Sequence, residues 1–314
     1  VTVENVLIDM SVEEKKKYST VANVLVEKNI NVLTSQRLLM NLLTSFKIKK
    51  TIELANKELS VGNFVIFIFT YTGEAAMERC IRKNQKMPSS RVYDAIEEYD
   101  DGSVDVSSLD KNELDPIDKL IDYYGNEVVA EITGRSRRFV RNGDKWSIER
   151  INRTNELSDF QNGKKRIAIL SRAGGIGLSL HDNGHGKRVN FVIELPWSSE
   201  DFVQIIGRSH RAASATPPSY YLMTMNLPSE ARIAYSLSKR VQCMGALSRG
   251  NRTACDVLNL GEIFGSTTTV QTRRTFCLKL IISKVIKQES FHMPVECVLD
   301  EYKTQINNYA RTNG

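Results

Sequence analysis

The sequence predicts an α/β protein built on an open parallel sheet flanked by helices, with helical additions at its N- and C-terminal ends. Three observations point there. Asn63-Phe-Val-Ile-Phe-Ile-Phe-Thr70 is an unbroken β-branched and aromatic run, the pattern of a strand buried on both faces. Further strand-like runs follow it, separated by helical patterns. The 314 residues, 41% of them hydrophobic and 25% charged, supply enough apolar surface to cover such a sheet.

The elements are expected in the following order. Residues 1–60 read as mostly helical: Glu13 to Lys28 and Gln36 to Phe46 carry apolar residues at three- and four-residue spacing around the polar Asn29 to Asn31. The buried strand comes next, then a helix over Gly73 to Lys83. Asp94 to Asp115 reads as a solvated acidic insertion or loop. Beyond it the alternation resumes with helix Pro116 to Tyr124, strand Glu127 to Ile132, helix Glu156 to Asn162, and strands Arg166 to Leu170 and Val189 to Leu195. Helix Ser199 to Gly207, strand Tyr220 to Met225 and a long helix from Pro228 to Leu247 close the unit, with Pro228 in the first turn and Glu230 near the positive end of the helix dipole. This divides the chain into 1–60, 61–247 and a C-terminal extension, 248–314, in which residues 275–287 suggest one more helix.

Charge is uneven. The chain carries 43 Lys and Arg against 37 Asp and Glu, a net +6. Between Asp94 and Asp115 nine acids face the single base Lys111, a sum of −8, which leaves +14 for the rest. That body suits a polyanionic partner. The five cysteines show no CxxC spacing, so the sequence suggests neither a disulfide framework nor a zinc site and points to an intracellular, nuclear or cytoplasmic setting. The sequons at Asn152 and Asn251 are then expected to be unused. The most apolar stretch, Val61 to Thr70, is too short to span a bilayer, and no leader opens the chain, so no membrane association is expected. The first residue is Val, which suggests a fragment or a processed product.

Two segments stand out chemically. Ser171-Arg-Ala-Gly-Gly-Ile-Gly-Leu-Ser-Leu-His181 is a glycine-rich turn after a strand, where bare N–H groups can approach phosphate or ribose oxygens, or where glycine serves only the turn. Gln204-Ile-Ile-Gly-Arg-Ser-His-Arg211 puts Gln204, Arg208 and Arg211 on one side of a helix, with Gly207 expected to admit a neighbouring backbone. Two guanidiniums there make a fork suited to phosphate oxygens; the plain alternative is surface salt bridging.

These two segments resemble motifs V and VI of the second RecA-like lobe of superfamily 2 helicases and translocases. Phe160-Gln-Asn-Gly163 resembles the usual lead-in, and Glu194-Leu-Pro-Trp-Ser198 the segment between the motifs. Within that superfamily the chain is similar to the strawberry notch type, viral relatives included. That likeness rests on Tyr71-Thr-Gly-Glu-Ala75, Leu114-Asp-Pro-Ile-Asp118, Ala130-Glu-Ile-Thr-Gly-Arg135 and Gly245-Ala-Leu-Ser-Arg-Gly-Asn-Arg252. It covers roughly residues 60–255, with a weaker echo in Val3 to Tyr18.

The resemblance implies that ATP and Mg2+ lie between two lobes and that this one contributes arginine fingers, matched by Arg208 and Arg211. Gln204 matches the glutamine facing the γ-phosphate, and Gly175 and Gly177 match the approach of the motif V loop to the nucleotide. His210 is read as a spacer with a helix-packing role. Nucleic acid, DNA or RNA, would be held by its phosphates. For it the basic stretch Thr133 to Arg141 offers Thr133, Arg135 and Arg138, and motif V offers Ser171 and Ser179; the plain alternative for the stretch is a solvated basic loop.

No GxxxxGK followed by Ser or Thr is present, so the phosphate-cradling P-loop is missing. Asp300-Glu301 lacks the preceding strand of a magnesium box. The expectation is a second lobe, inactive alone, completed by a first lobe in the same longer chain or in a partner subunit. The competing reading is a non-enzymatic nucleic-acid or protein-binding module on a degenerate RecA-like fold. A small-molecule enzyme on a doubly wound sheet would lack a recognisable catalytic pair.

Overall fold

The computed structural model describes residues 1–82, 90–99, 107–143, 145–171 and 177–227, together with residues 229–231, 233, 234, 236, 237 and 240. Its centre is a six-stranded, wholly parallel sheet in the order β1-β8-β7-β2-β6-β3. The strands are β1 (Thr2–Ile8), β2 (Phe64–Phe69), β3 (Val129–Ile132), β6 (Ile167–Ser171), β7 (Arg188–Val192) and β8 (Ser219–Met225). The separate antiparallel hairpin β4 (Arg137–Asn142) and β5 (Lys145–Arg150) follows β3. The helices are α1 (Val12–Glu27), α2 (Val32–Ser60), α3 (Glu74–Arg82), α4 (Arg91–Tyr99), α5 (Pro116–Tyr124), α6 (Arg153–Gln161) and α7 (Ser199–Ser209). This is the RecA-like open sheet that the motifs implied.

The apolar run of β2 is continuous because both of its faces are covered. Phe64, Ile66 and Ile68 pack with Phe160 of α6 and Phe202, Ile205 and Ile206 of α7. Val65, Phe67 and Phe69 point the other way, onto Ile48 and Ala55 of α2 and Ile117, Leu120 and Ile121 of α5. Pro116 opens α5. Gly125 caps it at φ +89°, in the left-handed region that favours glycine, and turns the chain into β3.

The structure corrects the opening of the chain. Residues 1–60 are mostly helical, as expected, but they open with a strand of the sheet, since β1 pairs with β8 along its whole length, Thr2 opposite Ser219 through Ile8 opposite Met225. The second helix runs on to Ser60, well past Phe46, because Ile48 and Ala55 continue the buried stripe against the sheet. The acidic stretch is not all loop either. Val92 and Ile96 of α4 fill a third apolar cluster with Val21, Val24 and Leu25 of α1 and Leu38, Leu42, Leu43 and Phe46 of α2. Glu97 and Glu98 of α4 lie on its exposed outer face.

The described residues from 229 to 240 are helical, with Ala234 and Leu237 packed on the α7 side of the sheet. The rest of the expected long helix, the Gly245 to Arg252 segment, the helix expected over 275–287 and Asp300-Glu301 lie outside the described residues. Among the described residues no helix is long and apolar enough to cross a membrane. Cys80 is buried, and the other four cysteines lie outside the described residues.

Candidate nucleotide and nucleic-acid interface

In an open parallel sheet, ligands bind beyond the carboxyl ends of the strands. At that edge the segments that follow β2 and β7 are hydrogen-bonded to each other, and the segment after β3 is bonded to the end of β6. Glu194, just past β7, is buried and accepts from the N–H groups of Thr70 (2.7 Å) and Tyr71 (3.0 Å), which follow β2. Its other oxygen accepts from Thr44 of α2 at 3.1 Å. Burial raises the Glu194 pKa, against the pull of those donors and of nearby Lys47. Lys47 is itself buried and donates to the Ile193 carbonyl (3.0 Å) and to Glu230 (2.6 Å), whose second oxygen accepts from the Met225 N–H at 2.7 Å. Thr44, Lys47, Glu194 and Glu230 thus clamp the ends of β2, β7 and β8 to α2.

The two arginine-bearing segments are joined by main chain. The Leu180 N–H, at the end of the glycine-rich loop, donates to the Arg208 carbonyl at 2.8 Å. The C-terminal end of α7 is anchored from below: Ser209 Oγ donates to Asn190 (3.0 Å) of β7 and lies 2.9 Å from the Tyr220 hydroxyl of β8. The Tyr220 hydroxyl donates to the Ile206 carbonyl at 2.8 Å. Arg208 is therefore presented by a fixed turn of helix.

Arg208 is only 7% exposed, and its Nε has no hydrogen-bond partner. Burial and then the neighbouring Arg211 push its pKa down. Among the described residues no carboxylate pairs with either arginine. Two guanidiniums so close, one of them buried, call for an anion. Gln204 lies exposed one turn before Arg208. The helix stops at Ser209 with His210 as its cap, so Arg211 is carried by the extended chain that follows rather than by the helix. His210 is exposed and has no packing role, contrary to expectation. Among the described residues nothing lies within 4 Å of where a Gly207 Cβ would stand, so no described backbone approaches it closely. Gly177 adopts φ +75° and also faces open space; Gly175 lies outside the described residues.

The expected phosphate contacts after β3 are corrected. Arg135 is 1% exposed, and its guanidinium is consumed by two carboxylates, Glu131 (2.7 and 3.2 Å) and Asp118 (2.7 Å). Thr133 is fully buried and donates to Glu131 at 2.8 Å. Arg138 is buried against Glu156 (3.1 Å), which also holds Lys165 (2.7 Å) and accepts from the Glu131 N–H at 3.2 Å. None of the three can reach a phosphate. Ser171 is buried and accepts from the Gly134 N–H at 3.1 Å, while Ser179 Oγ lies 2.7 Å from His181 Nδ1. Within the basic stretch, Arg135 and Arg138 knit the end of β3 and the root of the hairpin to α5 and α6.

The segments around Asp118 and Arg135, which carried the resemblance separately, meet in this network. Two carboxylates share one guanidinium, so one negative charge is left unmatched. Burial drives the Asp118 pKa up to about 6 despite Arg135, with Asp115 and Glu131 adding to the rise. A native pKa above the unfolded value means that the native state holds a proton the unfolded chain has released, so stability falls as pH rises from about 4 to about 6. An Asp118→Asn variant should lack that decline, by on the order of 3 kcal/mol between these limits. Urea unfolding of both proteins at pH 4, 5, 6 and 8 checks this; parallel stability curves would refute it.

A family model described as the C-terminal domain on Strawberry notch homologue matches residues 115–308, more than half of the chain. Protein FORGETTER 1 of Arabidopsis thaliana is 32% identical over 213 residues, 60% of this chain and 16% of that protein. Protein strawberry notch homolog 1 of Homo sapiens is 37% identical over 162 residues, 46% of this chain and 12% of that protein. The chain therefore spans only a small part of the length of these relatives. Among solved structures, the C-terminal part of the Fun30 ATPase domain overlays with a TM-score of 0.44 at 10% identity, covering 75% of this chain and 88% of that one.

Proposed function

Because the chain belongs to the family of helicase C-terminal domains found on strawberry notch homologues, we propose that it is the second lobe of a nucleic-acid-dependent ATPase and that Arg208 and Arg211 are its arginine fingers. One observation carries the reading: a buried guanidinium with an unpartnered Nε, beside a second guanidinium and without a carboxylate among the described residues, on a helix end fixed by Ser209, Asn190 and Tyr220. Buried Arg135 and Arg138 each have an acid, and buried Arg188, which has none, lies over the rings of Phe64 and Phe160; among the described residues Arg208 has neither kind of partner. The unmatched pair fits phosphate oxygens.

ATP bound between this lobe and a P-loop lobe would supply the transferable phosphoryl group, and we place its magnesium ion with that other lobe. The task of this chain is electrostatic: Arg208 and Arg211 present fixed donors to charge that grows on the transferring group, at no cost of reorganisation. Gln204 stands beside them on the exposed side of the same helix. Glu194, held by Thr44, Thr70 and Tyr71, fixes the start of the short segment that leads into their helix.

The test joins this chain to the P-loop lobe of its own protein or complex. The chain alone is expected to show no ATP hydrolysis, and the joined protein a hydrolysis rate that nucleic acid increases. A joined, folded protein that hydrolyses nothing under any nucleic acid would favour the binding-module reading instead.

A further inference from the structure

The nucleic-acid contact expected after β3 is closed off by burial, yet the hairpin that follows keeps unpaired charge. Residues 137–153 hold six bases, Arg137, Arg138, Arg141, Lys145, Arg150 and Arg153, against the acids Asp144 and Glu149, so 6 − 2 = +4. Register places Arg137 directly opposite Arg150, Phe139 opposite Ile148 and Arg141 opposite Trp146. Side chains alternate along a strand, so these six residues share one face. Phe139 is buried there against Met77 and Cys80 of α3, with Trp146 packed alongside. The outer strand stays open to solvent: Ile148 is 40% exposed and Arg150 is exposed.

Like charges directly opposite each other across a strand pair are destabilising, and a bare cross-strand arginine pair is an unfavourable choice for a structural hairpin. Among the described residues no carboxylate pairs with Arg137 or Arg150. The Ile151 N–H donates to the Ser136 carbonyl at 3.0 Å, which closes the hairpin root and holds the pair together beside the end of β3. Towards the tip, Arg141 lies 5.9 Å from the Trp146 ring centroid and 3.7 Å from Asp122, so its charge is partly spoken for. The free charge is thus concentrated at the root, at the carboxyl edge of the sheet and next to exposed Ile148.

We infer that the β4–β5 hairpin is a nucleic-acid-binding arm, with the Arg137–Arg150 pair gripping backbone phosphates and Ile148 lying against the sugar edge. This rests on the reading of the chain as a nucleic-acid-dependent lobe, but it is tested without ATP, so the two can fail separately. A phosphate grip reads no sequence and tolerates DNA or RNA.

The experiment measures fluorescence anisotropy of labelled 20-nucleotide single-stranded DNA, single-stranded RNA and a DNA duplex with the full chain, over a range of salt concentrations. Arg137→Ala with Arg150→Ala should weaken binding to the preferred polymer by on the order of tenfold or more at moderate salt and flatten the log–log salt slope by about 1–2. Arg137→Lys with Arg150→Lys should retain most of the slope. The tip pair Arg141→Ala with Lys145→Ala, which removes equal charge, should cost less. Circular dichroism melts confirm that each variant is folded. Wild type that binds none of the three polymers, a root variant with an unchanged slope, or root and tip variants of equal effect would each overturn the assignment.

Discussion

An Arg135→Met variant is expected to lose about 3–5 kcal/mol of stability at neutral pH. The methionine keeps the length of the side chain and its packing but removes every donor that Glu131 and Asp118 share. Two buried carboxylates would then face each other, with only Thr133 donating to Glu131. An uncompensated buried charge costs far more than the pair was worth, which is why breaking such a cluster is so destabilising. The sign of its pH dependence follows. With the guanidinium gone the Asp118 pKa moves further above its unfolded value, so the deficit should shrink as pH falls towards 5 and Asp118 takes up its proton. Chemical denaturation of wild type and variant at pH 5 and pH 8 measures this. A deficit below about 1 kcal/mol, or one equal at both pH values, would contradict the assignment of Arg135 to structure.

Arg208→Ala, made in the protein that carries both lobes, is expected to reduce nucleic-acid-stimulated turnover by on the order of 10³-fold. The loss should fall on kcat, with KM for ATP changed little, because the interaction strengthens only as charge develops on the transferring group. Arg208 makes no side-chain hydrogen bond within the described residues that its removal would break, and its Nε is unpartnered in the wild type. Its loss should therefore leave the melting temperature nearly unchanged, which separates it from Arg135. Arg208→Lys should recover only part of the rate, since a point charge does not reproduce the fork. A variant that melts well below wild type would move Arg208 from the reaction to the scaffold.

The contrast between these two arginines shows what the sequence could and could not reveal. Strand β2 was legible because burial on both faces leaves an unbroken apolar run, and α5 because Pro116 and Gly125 mark its ends. The hairpin was not, since Phe139 and Val140 are its only buried apolar side chains and, Trp146 and Ile148 apart, its remaining positions are charged or polar. Edge strand β1 is half-exposed, so its alternation is lost among polar residues. Acidic α4 shows its apolar stripe only once α1 and α2 lie against it. At the site, Arg208 and Arg211 were read from a local motif and remain grouped, although Arg211 stands outside the helix. Arg135 and Arg138 were misread because their fate is decided by acids distant in sequence: Asp118 lies 17 residues before Arg135, and Glu156 lies 18 after Arg138. A signal was present. Glu131 interrupts the apolar strand Val129-Ala-Glu-Ile132, and an acid in such a strand asks for a buried base.

Equilibrium binding of ADP with a metal-fluoride mimic of the transferring phosphoryl group, to the two-lobe protein with nucleic acid present, tests the arginine-finger assignment most directly. Wild type should bind the ADP–fluoride complex far more tightly than ADP, and Arg208→Ala and Arg211→Ala should each lose on the order of 10²–10³ of that preference with ADP affinity unchanged. Equal preference in wild type and in both variants would contradict it.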